Sequence, residues 1–383
     1  MNKSSLPTEN ILIVAGDVSG DLHAANLIQE MKKLQPSIHI AAIGGRLMKQ
    51  KADSFLFDLA AQGATGFIEP LKKMPLWLRL LKQIRQYMQN QKPRAVIAVD
   101  FYGFNHQVLN LAEKLQIPVF YYIAPQVWAS RQYRAKQLAR LTKKMFVIYP
   151  FEPDFHKQFG GHAVFHGNPL LDIMPQPAEH SYTNQDGKNK VWKLGLLPGS
   201  RNSEISRLTP AFYQAFKLIV KEFPNTQAYL FALPDADEQK FLDLLGEKPH
   251  PNFHIVKDKN YEQRSQMDFL LACSGTATLE NALLGMPMLV AYKMFWPTYQ
   301  IAKMVIKVKH ISLVNILAKK EVVKEFIQDK ASPQILAQEV IRMFQNPQKL
   351  QAQRDLLLQL RASLGQPGVA GRAAKEILED LEK

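Results

Sequence analysis

The chain has 383 residues, which is enough for two domains of ordinary size, each with its own core. Hydrophobic residues make up 46% and charged residues 21%, a composition that excludes a disordered chain and a membrane-spanning bundle. The apolar run at residues 11–15 is too short for a signal peptide or a membrane span. The single cysteine, Cys273, excludes an internal disulfide, fits a reducing compartment and is expected to pack in the core.

The net charge of +14 predicts an anionic partner: nucleic acid, a membrane surface or a phosphorylated substrate. The basic residues are spread along the chain and no recognised nucleic-acid-binding motif is present, so we expect no nucleic acid partner.

Short apolar runs in the first half of the chain predict buried strands at residues 11–15, 38–43, 95–100, 119–123 and 144–148. Helical patterns lie between these runs, the first over residues 22–34. Alternation of strands and helices predicts a doubly wound parallel sheet, which binds ligands beyond the carboxyl ends of its strands.

The stretch between these strands at residues 71–88 carries both apolar and basic side chains. An apolar stripe with basic flanks and a tryptophan is typical of a helix that lies on an anionic membrane. An amphipathic helix that covers a protein core shows the same pattern, and the residues leave both interpretations open. The candidate membrane contacts are Leu71, Met74, Trp77, Leu78 and Leu81.

A polar, proline-containing stretch predicts that the first domain, residues 1–168, ends near residue 168. A second series of apolar runs then predicts strands at 193–197, 228–232, 253–256, 269–272 and 288–292. We therefore expect a second domain over residues 169–350 and a helical tail over residues 351–383. The predicted fold class is α/β, with two doubly wound Rossmann-like domains that face a cleft.

Three glycine-rich turns, at residues 16–21, 198–201 and 274–278, each join a predicted strand to a predicted helix. Such turns offer backbone N–H groups and the positive end of a helix dipole to an anion. The first turn is not the GxGxxG fingerprint, so a nicotinamide cofactor is not implied. The other two belong to one domain, where we expect them to hold a diphosphate together with the planar cation of Arg201. Glu280, one turn into the following helix, is placed to bind ribose hydroxyls.

The candidate substrate-binding residues are Gly16, Asp17, Ser19, Gly20, Gly199, Ser200, Arg201, Ser274, Gly275, Thr276, Ala277 and Glu280. A diphosphate bound in this way needs no metal, and we expect neither a metal nor a cofactor. Asp235 and Asp237 resemble a metal-binding DxD motif but precede a helical run, where acids are expected as caps. The chain has no serine-hydrolase elbow and no P-loop, which argues against a serine hydrolase and a nucleoside triphosphatase.

Transfer of a sugar from a nucleoside diphosphate requires a base for the acceptor hydroxyl and stabilisation of the leaving diphosphate. Asp100, at a predicted strand end, is the first candidate for the base, with Asp17 and His23 as second candidates. A packed histidine is the other interpretation of His23, and Asp21 is expected to cap the first helix. Arg201 is the candidate for stabilising the leaving group.

Five motifs, in collinear order over nearly the whole chain, resemble the lipid-A-disaccharide synthase family. They are GDVSGDLHAA at 16–25, APQVWASR at 124–131, LLPGSRNSEI at 196–205, SGTATLENALLGMPMLVAYKM at 274–294 and HISLVNILA at 310–318. The resemblance implies an inverting, metal-independent glycosyltransferase of the two-Rossmann-domain (GT-B) type. Such enzymes join UDP-linked 2,3-diacylglucosamine to 2,3-diacylglucosamine 1-phosphate at the inner face of the cytoplasmic membrane and release UDP.

The resemblance also implies roles for individual residues. Asp100 matches the family's essential aspartate and Arg201 its essential arginine, and the first domain becomes the acceptor domain. The residues that match the UDP-binding turn are Ser274, Gly275, Thr276 and Glu280. The helix at 71–88 is then expected to meet membrane or acyl chains. The tail is expected to pack on the first domain or to be exchanged between the two chains of a homodimer.

Two positions of the first domain depart from the family pattern. Asp17 stands where a glutamate is expected, and the segment that begins at Asp100 lacks a proline and a second acid. The donor half therefore matches more closely than the acceptor half. The alternatives are another metal-independent GT-B glycosyltransferase, a UDP-sugar epimerase, or a non-catalytic protein that binds membranes or polyanions.

Overall fold

The computed structural model describes residues 10–63, 74–129, 131–180, 182, 190–257, 260–296 and 310–383. The chain divides into two compact units, the first made of Met1–Asp172 and Leu364–Lys383, the second of Ile173–Ser363. The last residues of the chain therefore belong to the first unit. The acceptor and donor roles of the two halves stay predictions.

The first unit is built on a parallel sheet of seven described strands in the order β3-β2-β1-β4-β5-β6-β7. The strands are β1 (Asn10–Ala15), β2 (His39–Gly44), β3 (Ser54–Asp58), β4 (Ala95–Val99), β5 (Val119–Tyr122), β6 (Lys144–Val147) and β7 (Ala163–Phe165). The central strands β1 and β4 are buried along their whole length, as expected for a sheet with helices on both faces.

Helices alternate with these strands. They are α1 (Val18–Leu34), α2 (Arg46–Lys51), α3 (Ala60–Gly63), α4 (Met74–Gln91), α5 (Tyr102–Lys114), α6 (Tyr133–Leu141) and α7 (Glu152–Lys157). The prediction that the first helix begins at residue 22 was wrong by about one turn. Helix α1 begins at Val18 because the Asp17 carboxylate accepts the Gly20 N–H at 2.7 Å and caps it.

The second unit has a parallel sheet of six described strands in the order β10-β9-β8-β11-β12-β13. The strands are β8 (Lys193–Leu197), β9 (Gln227–Ala232), β10 (Phe253–Lys257), β11 (Phe269–Cys273), β12 (Met288–Tyr292) and β13 (Glu325–Ile327). The helices are α8 (Asn202–Glu222), α9 (Glu238–Leu245), α10 (Thr276–Leu283), α11 (Leu313–Ala318), α12 (Pro333–Phe344) and α13 (Pro347–Ser363).

The core of the second unit is rich in aromatic side chains. Trp192, which is 1% exposed, stacks on Phe344 of α12 with the ring centroids 4.1 Å apart. Phe223 and Phe269 meet Phe344 edge to face. The predicted α/β fold class, with two parallel sheets and a helical C-terminal region, is confirmed.

The last helix, α14 (Val369–Glu382), packs against α1 of the first unit. Asp172 caps α14, because its carboxylate accepts the N–H groups of residues 368, 369 and 370 at 2.7, 3.0 and 2.8 Å. Farther along α14, the buried Lys144 pairs with Glu376 at 2.6 Å and also with Asp380. These contacts tie both ends of the helix to the first unit.

Candidate active site

The β1–α1 turn of the first unit lies against the end of β4. A Cβ atom built on Gly16 would fall 1.9 Å from the Phe101 ring, so only glycine allows this approach. Gly20 is buried beneath the turn, whereas Ser19 is exposed. The turn therefore brings Asp17 close to the residues that follow β4.

Asp100 directly follows β4 and adopts a left-handed backbone conformation with φ +46°, and Phe101 follows with φ +41°. Such conformations cost about 1–3 kcal/mol each for residues other than glycine and cluster at functional sites. Three hydrogen bonds hold the corner in place. The Asp100 carboxylate accepts the Phe101 N–H at 2.8 Å, and its carbonyl oxygen accepts Asn105 Nδ2 at 2.8 Å and the Tyr121 hydroxyl at 2.7 Å.

The Asp100 carboxyl group is poised to exchange a proton near neutral pH. Burial raises its pKa to about 6, and the negative charge of Asp17 adds to the rise, while the Phe101 N–H opposes it. A carboxylate with this pKa is mostly ionised at pH 7 and accepts a proton more readily than an ordinary aspartate. The structure thus brings Asp17 and Asp100 together and makes the second a suitable base.

His23 lies deeper in the first unit. It is 7% exposed, and burial lowers the pKa of its imidazole to about 4, although the charge of Asp172 acts in the opposite direction. The ring is therefore neutral at physiological pH, and it lies on the buried face of α1. A base has to reach the hydroxyl that it deprotonates, and this burial favours the packed interpretation of His23.

Asp21 caps a different helix from the one expected. Its buried carboxylate accepts the N–H groups of Gly45, Leu47 and Met48 at 2.8, 2.9 and 3.0 Å, so it caps α2. The prediction that Asp21 caps the first helix was wrong, because Asp17 already occupies that position.

A second buried carboxylate of the first unit was missed by the sequence analysis. Glu152 is fully buried and accepts the Trp128 Nε1–H at 2.9 Å and the N–H groups of Ile148 and Tyr149 at 2.9 and 2.8 Å. Burial raises its pKa to about 7. Trp128 belongs to the APQVWASR motif, so Glu152 fixes this motif to the end of β6.

The second unit contains a cavity of about 370 Å³ beyond the ends of β8 and β11. A volume of this order is sufficient for a small-molecule ligand. Both glycine-rich turns of this unit contribute to its wall. The predicted residues that line it are Gly199, Ser200, Arg201, Ser274, Gly275, Thr276, Ala277 and Glu280.

The turn after β8 is organised by Glu204. Gly199 has φ +111°, and a Cβ atom there would lie 2.5 Å from Glu204 Oε2. The same oxygen accepts the N–H groups of Ser200 and Arg201, each at 3.2 Å. Because these two N–H groups are already bonded, this turn offers the cavity the Arg201 side chain rather than backbone donors.

Arg201 stands at the N-cap of α8 with a side chain that is 64% exposed. Its Nη1 donates to Glu204 Oε1 at 2.8 Å. An ion pair with so much solvent contact is weak, and the guanidinium keeps further N–H donors. Arg201 can therefore turn toward an anionic ligand in the cavity while Glu204 limits the directions it can take.

The turn after β11 supplies a helix N-terminus. Ser274 Oγ donates to the Ile311 carbonyl oxygen at 3.0 Å, and Thr278 Oγ1 donates to the Gly275 carbonyl oxygen at 2.7 Å. Helix α10 begins at Thr276. The first N–H groups of a helix have no partner inside it, and Thr276 and Ala277 carry such groups at the cavity wall.

Glu280 forms a buried ion pair that the sequence did not reveal. Its Oε2 accepts Nη1 of Arg264 at 2.8 Å, and the two side chains are only 18% and 8% exposed. The carboxylate is also hydrogen-bonded to the hydroxyl of Tyr261. Arg264 and Tyr261 line the cavity with Glu280, so the predicted ribose ligand is one member of a fixed polar group.

Cys273, at the end of β11, is 4% exposed, as expected for a packed residue. Burial raises the pKa of its thiol to about 12, so it is not a nucleophile at neutral pH. Asp237 caps α9, because its carboxylate accepts the Gln239 N–H at 3.0 Å. The interpretation of Asp237 as a cap is confirmed.

The candidate membrane helix is α4, which begins at Met74; Leu71 lies outside the described residues. Its buried face consists of Leu80, Ile84 and Met88, spaced four residues apart. Leu78 does not share this buried face, because it is 61% exposed. Among the helices that the structure describes, none is long and apolar enough to cross a bilayer.

Two other candidate membrane contacts, Trp77 and Leu81, are partly buried against the core. Trp77 meets Phe104 edge to face with centroids 5.7 Å apart, and Leu81 packs beside it. Leu78 is flanked by the exposed side chains of Arg79, Lys82 and Arg85. Only a narrow apolar and basic edge of α4 thus faces away from the core.

The fold matches solved proteins of the two-sheet GT-B type. A UDP-GlcNAc 2-epimerase from Neisseria meningitidis bound to UDP-GlcNAc superposes with a TM-score of 0.60 and 14% identity, covering 97% of this chain and 99% of that one. The calicheamicin glycosyltransferase CalG4 gives a TM-score of 0.58 and 15% identity, with 98% of each chain covered. At these identities the likeness concerns the fold alone.

Sequence comparison then identifies the family. The family model described as lipid-A-disaccharide synthetase matches residues 11–377. The lipid-A-disaccharide synthase of Syntrophus aciditrophicus (strain SB) is 37% identical over 375 residues, which cover 97% of this chain and 98% of the relative. The chain belongs to the lipid-A-disaccharide synthetase family. It is a glycosyltransferase of lipid A biosynthesis, and the predicted enzyme class is confirmed.

Proposed function

We propose that the chain transfers 2,3-diacylglucosamine from UDP to 2,3-diacylglucosamine 1-phosphate, with inversion at the transferred carbon and release of UDP. The family defines the type of product. The observation that carries the proposal is the cavity of the second unit, where two glycine-rich turns, Arg201 and Glu280 come together. These groups suit the diphosphate and the ribose of a nucleoside diphosphate.

The donor is held from three sides in this proposal. The N–H groups of Thr276 and Ala277 and the positive end of α10 meet the diphosphate, and the Arg201 guanidinium turns onto it. Glu280 accepts hydrogen bonds from the ribose hydroxyls. The leaving diphosphate is thus neutralised by fixed dipoles and a cation of the protein, so we expect turnover without added metal.

The acceptor binds in the first unit, where Asp100 takes the proton from its attacking hydroxyl. The hydroxyl oxygen then forms a bond to the anomeric carbon of the donor, and the bond from that carbon to the diphosphate breaks with its electron pair leaving on UDP. A single displacement of this kind inverts the anomeric configuration. The raised pKa of Asp100 supports its role as the base.

The enzyme works, in our proposal, as a peripheral protein at the inner face of the cytoplasmic membrane. Both substrates carry acyl chains, and the exposed edge of α4 offers Leu78 among basic side chains. Anionic lipid attracts such a surface even when the buried apolar area is small. Exchange of the C-terminal tail between two chains stays a prediction, which sedimentation of the full chain would test.

The purified protein with both acylated substrates, in detergent and a chelator, should release UDP and disaccharide in equal amounts. Mass spectrometry of the lipid product and chromatography of UDP measure the two yields. Consumption of the donor without acceptor, or its conversion to a C2 epimer, would contradict the transferase. Intact UDP binding with no product would contradict the acceptor assignment, and vesicle binding as the sole activity would favour a non-catalytic role.

A further inference from the structure

The ion pair of Arg264 and Glu280 in the wall of the donor cavity carries a further inference, which rests on the proposed function of that cavity. Arg264 stands on a short 3-10 turn, Arg264–Gln266, that precedes β11, and is 7% exposed. It lines the cavity together with Glu280, although sixteen residues separate the two in sequence. Its position next to the predicted ribose ligand suggests a role in the geometry of that ligand.

The Arg264 guanidinium is held on several sides. Nη1 donates to Glu280 Oε2 at 2.8 Å and to Asn281 Oδ1 at 3.3 Å. The ring of Tyr261 lies 4.9 Å from the guanidinium carbon and that of Phe231 lies 6.0 Å from it. A planar cation between two rings and two oxygen acceptors has little freedom to rotate.

The fixed position of Arg264 also restricts the rotation of the Glu280 carboxylate. A glutamate near a cavity normally samples several rotamers, and each ligand hydrogen bond must then overcome the loss of that freedom. Here one oxygen is fixed by Arg264 and the group also bonds to the Tyr261 hydroxyl. A carboxylate has about four acceptor positions, so capacity remains for two hydroxyl donors.

We infer that Arg264 is a positioning residue that orients the Glu280 carboxylate to accept the ribose hydroxyls of the nucleoside diphosphate. Arg264 does not contact the ligand in this arrangement; it acts through Glu280. The selectivity for ribose over deoxyribose therefore depends on Arg264 as well as on Glu280. A lysine replaces it only in part, since an ammonium group lacks the planar guanidinium that lies near the rings of Tyr261 and Phe231.

Calorimetric titration of the full chain with UDP and with 2′-deoxy-UDP tests this inference, because the ratio of the two dissociation constants isolates the ribose contact. A hydrogen bond to a charged group predicts that the wild-type chain binds UDP about tenfold or more tightly than 2′-deoxy-UDP. We expect Arg264→Gln and Glu280→Gln to reduce this ratio to about threefold or less, and Arg264→Lys to reduce it in part. The matched control is Arg342→Gln, which removes an arginine paired with Glu339 outside the cavity wall and should keep the full ratio.

The outcomes separate the inference from the proposed function. If Arg264→Gln weakens both ligands equally and keeps the ratio, Arg264 has a merely structural or a direct phosphate role and the inference is wrong. If Arg264→Gln does not fold, Arg264→Lys decides, and an unchanged ratio in that variant overturns the inference. If the wild-type chain binds UDP no more tightly than 2′-deoxy-UDP, the ribose role of Glu280 in the proposed function is wrong, and the inference about Arg264 falls with it.

Discussion

The strand ends of the two units present different kinds of chemistry. In the first unit the central group is Asp100, a single carboxyl whose pKa lies at about 6 because of burial and the charge of Asp17. In the second unit the polar groups are arginines paired with carboxylates, Arg201 with Glu204 and Arg264 with Glu280. An arginine stays charged at any physiological pH. The first arrangement suits the movement of a proton, and the second suits the binding of an anion.

The backbone differs in the same way. The second unit places glycine at the turn that needs a positive φ, at Gly199, so the conformation costs little. The first unit places Asp100 and Phe101 in the left-handed region, where each costs about 1–3 kcal/mol. The corner that holds the carboxyl group proposed to react is thus strained and the Gly199 turn is relaxed, although Tyr261, in the cavity wall of the second unit, also has a left-handed backbone with φ +65°.

The substitution Asp100→Asn tests whether the first unit supplies the group that accepts the proton. Loss of a general base typically lowers the rate by about 10²–10⁴, so we expect kcat to fall by that factor. UDP binding should be unchanged, because the proposed donor site lies in the other unit. Steady-state kinetics and titration with UDP measure the two effects. A loss of UDP affinity equal to the loss of kcat would contradict the assignment of proton transfer to the first unit and of UDP binding to the second.

The substitution Gly199→Ala tests the relaxed turn. A Cβ atom at φ +111° and 2.5 Å from Glu204 Oε2 should lower the free energy of unfolding by about 1–3 kcal/mol. Gly103→Ala is the matched control, since a Cβ atom there meets nothing within 4 Å and the residue lies in α5. Denaturant unfolding compares them, and equal stability of both variants would contradict the account of the turn.

The substitution Arg201→Ala probes the anion-binding unit. Loss of one charge-assisted contact to the diphosphate should weaken UDP binding about tenfold. Arg207→Ala is the control, because Arg207 donates to the Ser203 carbonyl oxygen one turn into α8 and does not line the cavity. Unchanged UDP affinity of Arg201→Ala would argue against the proposed grip on the diphosphate.

The pH dependence separates the units further. Asp100 accepts a proton only when ionised, so kcat/KM should fall as the pH drops through about 6. Asp17→Asn removes a negative charge that raises the pKa of Asp100, and the midpoint should move to lower pH. Arg201→Ala should leave the midpoint in place. A midpoint that moves with Arg201 and not with Asp17 would assign the titration to another group.

The smallest expected effect concerns the membrane. Leu78→Ser should weaken binding to vesicles that contain anionic lipid by a few-fold, because one exposed apolar side chain is lost. Val191→Ser in the second unit is a matched control, since Val191 is 52% exposed. Vesicle sedimentation measures both, and equal loss in the two variants would argue against α4 as the contact surface.

Most of the fold could be predicted from the sequence because buried parallel strands have uninterrupted runs of branched apolar residues. Three described strands were not predicted: β3, β7 and β13, each of which is only partly buried. Two of them, with sequences AVF and EFI, are too short to show any period. Their strand conformation depends on pairing with a neighbour, which the sequence does not show.

The site was predictable where a motif is local. The glycine-rich turns 198–201 and 274–278 follow strands directly, and they line one cavity. Glu204 could also have been found, because a glutamate three residues after a helix N-cap is a capping signal. The pairing of Arg264 with Glu280 and that of Glu152 with Trp128 could not, since these partners are distant in sequence and meet only in the fold. The raised pKa of Asp100 likewise comes from burial, which no motif encodes.

The capping of α14 by Asp172 also bears on how the protein is made. The first unit includes residues 364–383, which leave the ribosome only after the whole second unit. Domains generally fold in the order of their synthesis, from the N-terminus. Here the earlier unit stays incomplete until the second unit has been synthesised, and until then the surface of α1 that α14 covers is exposed. A nascent chain or a premature stop would therefore leave a finished second unit beside an unfinished first one.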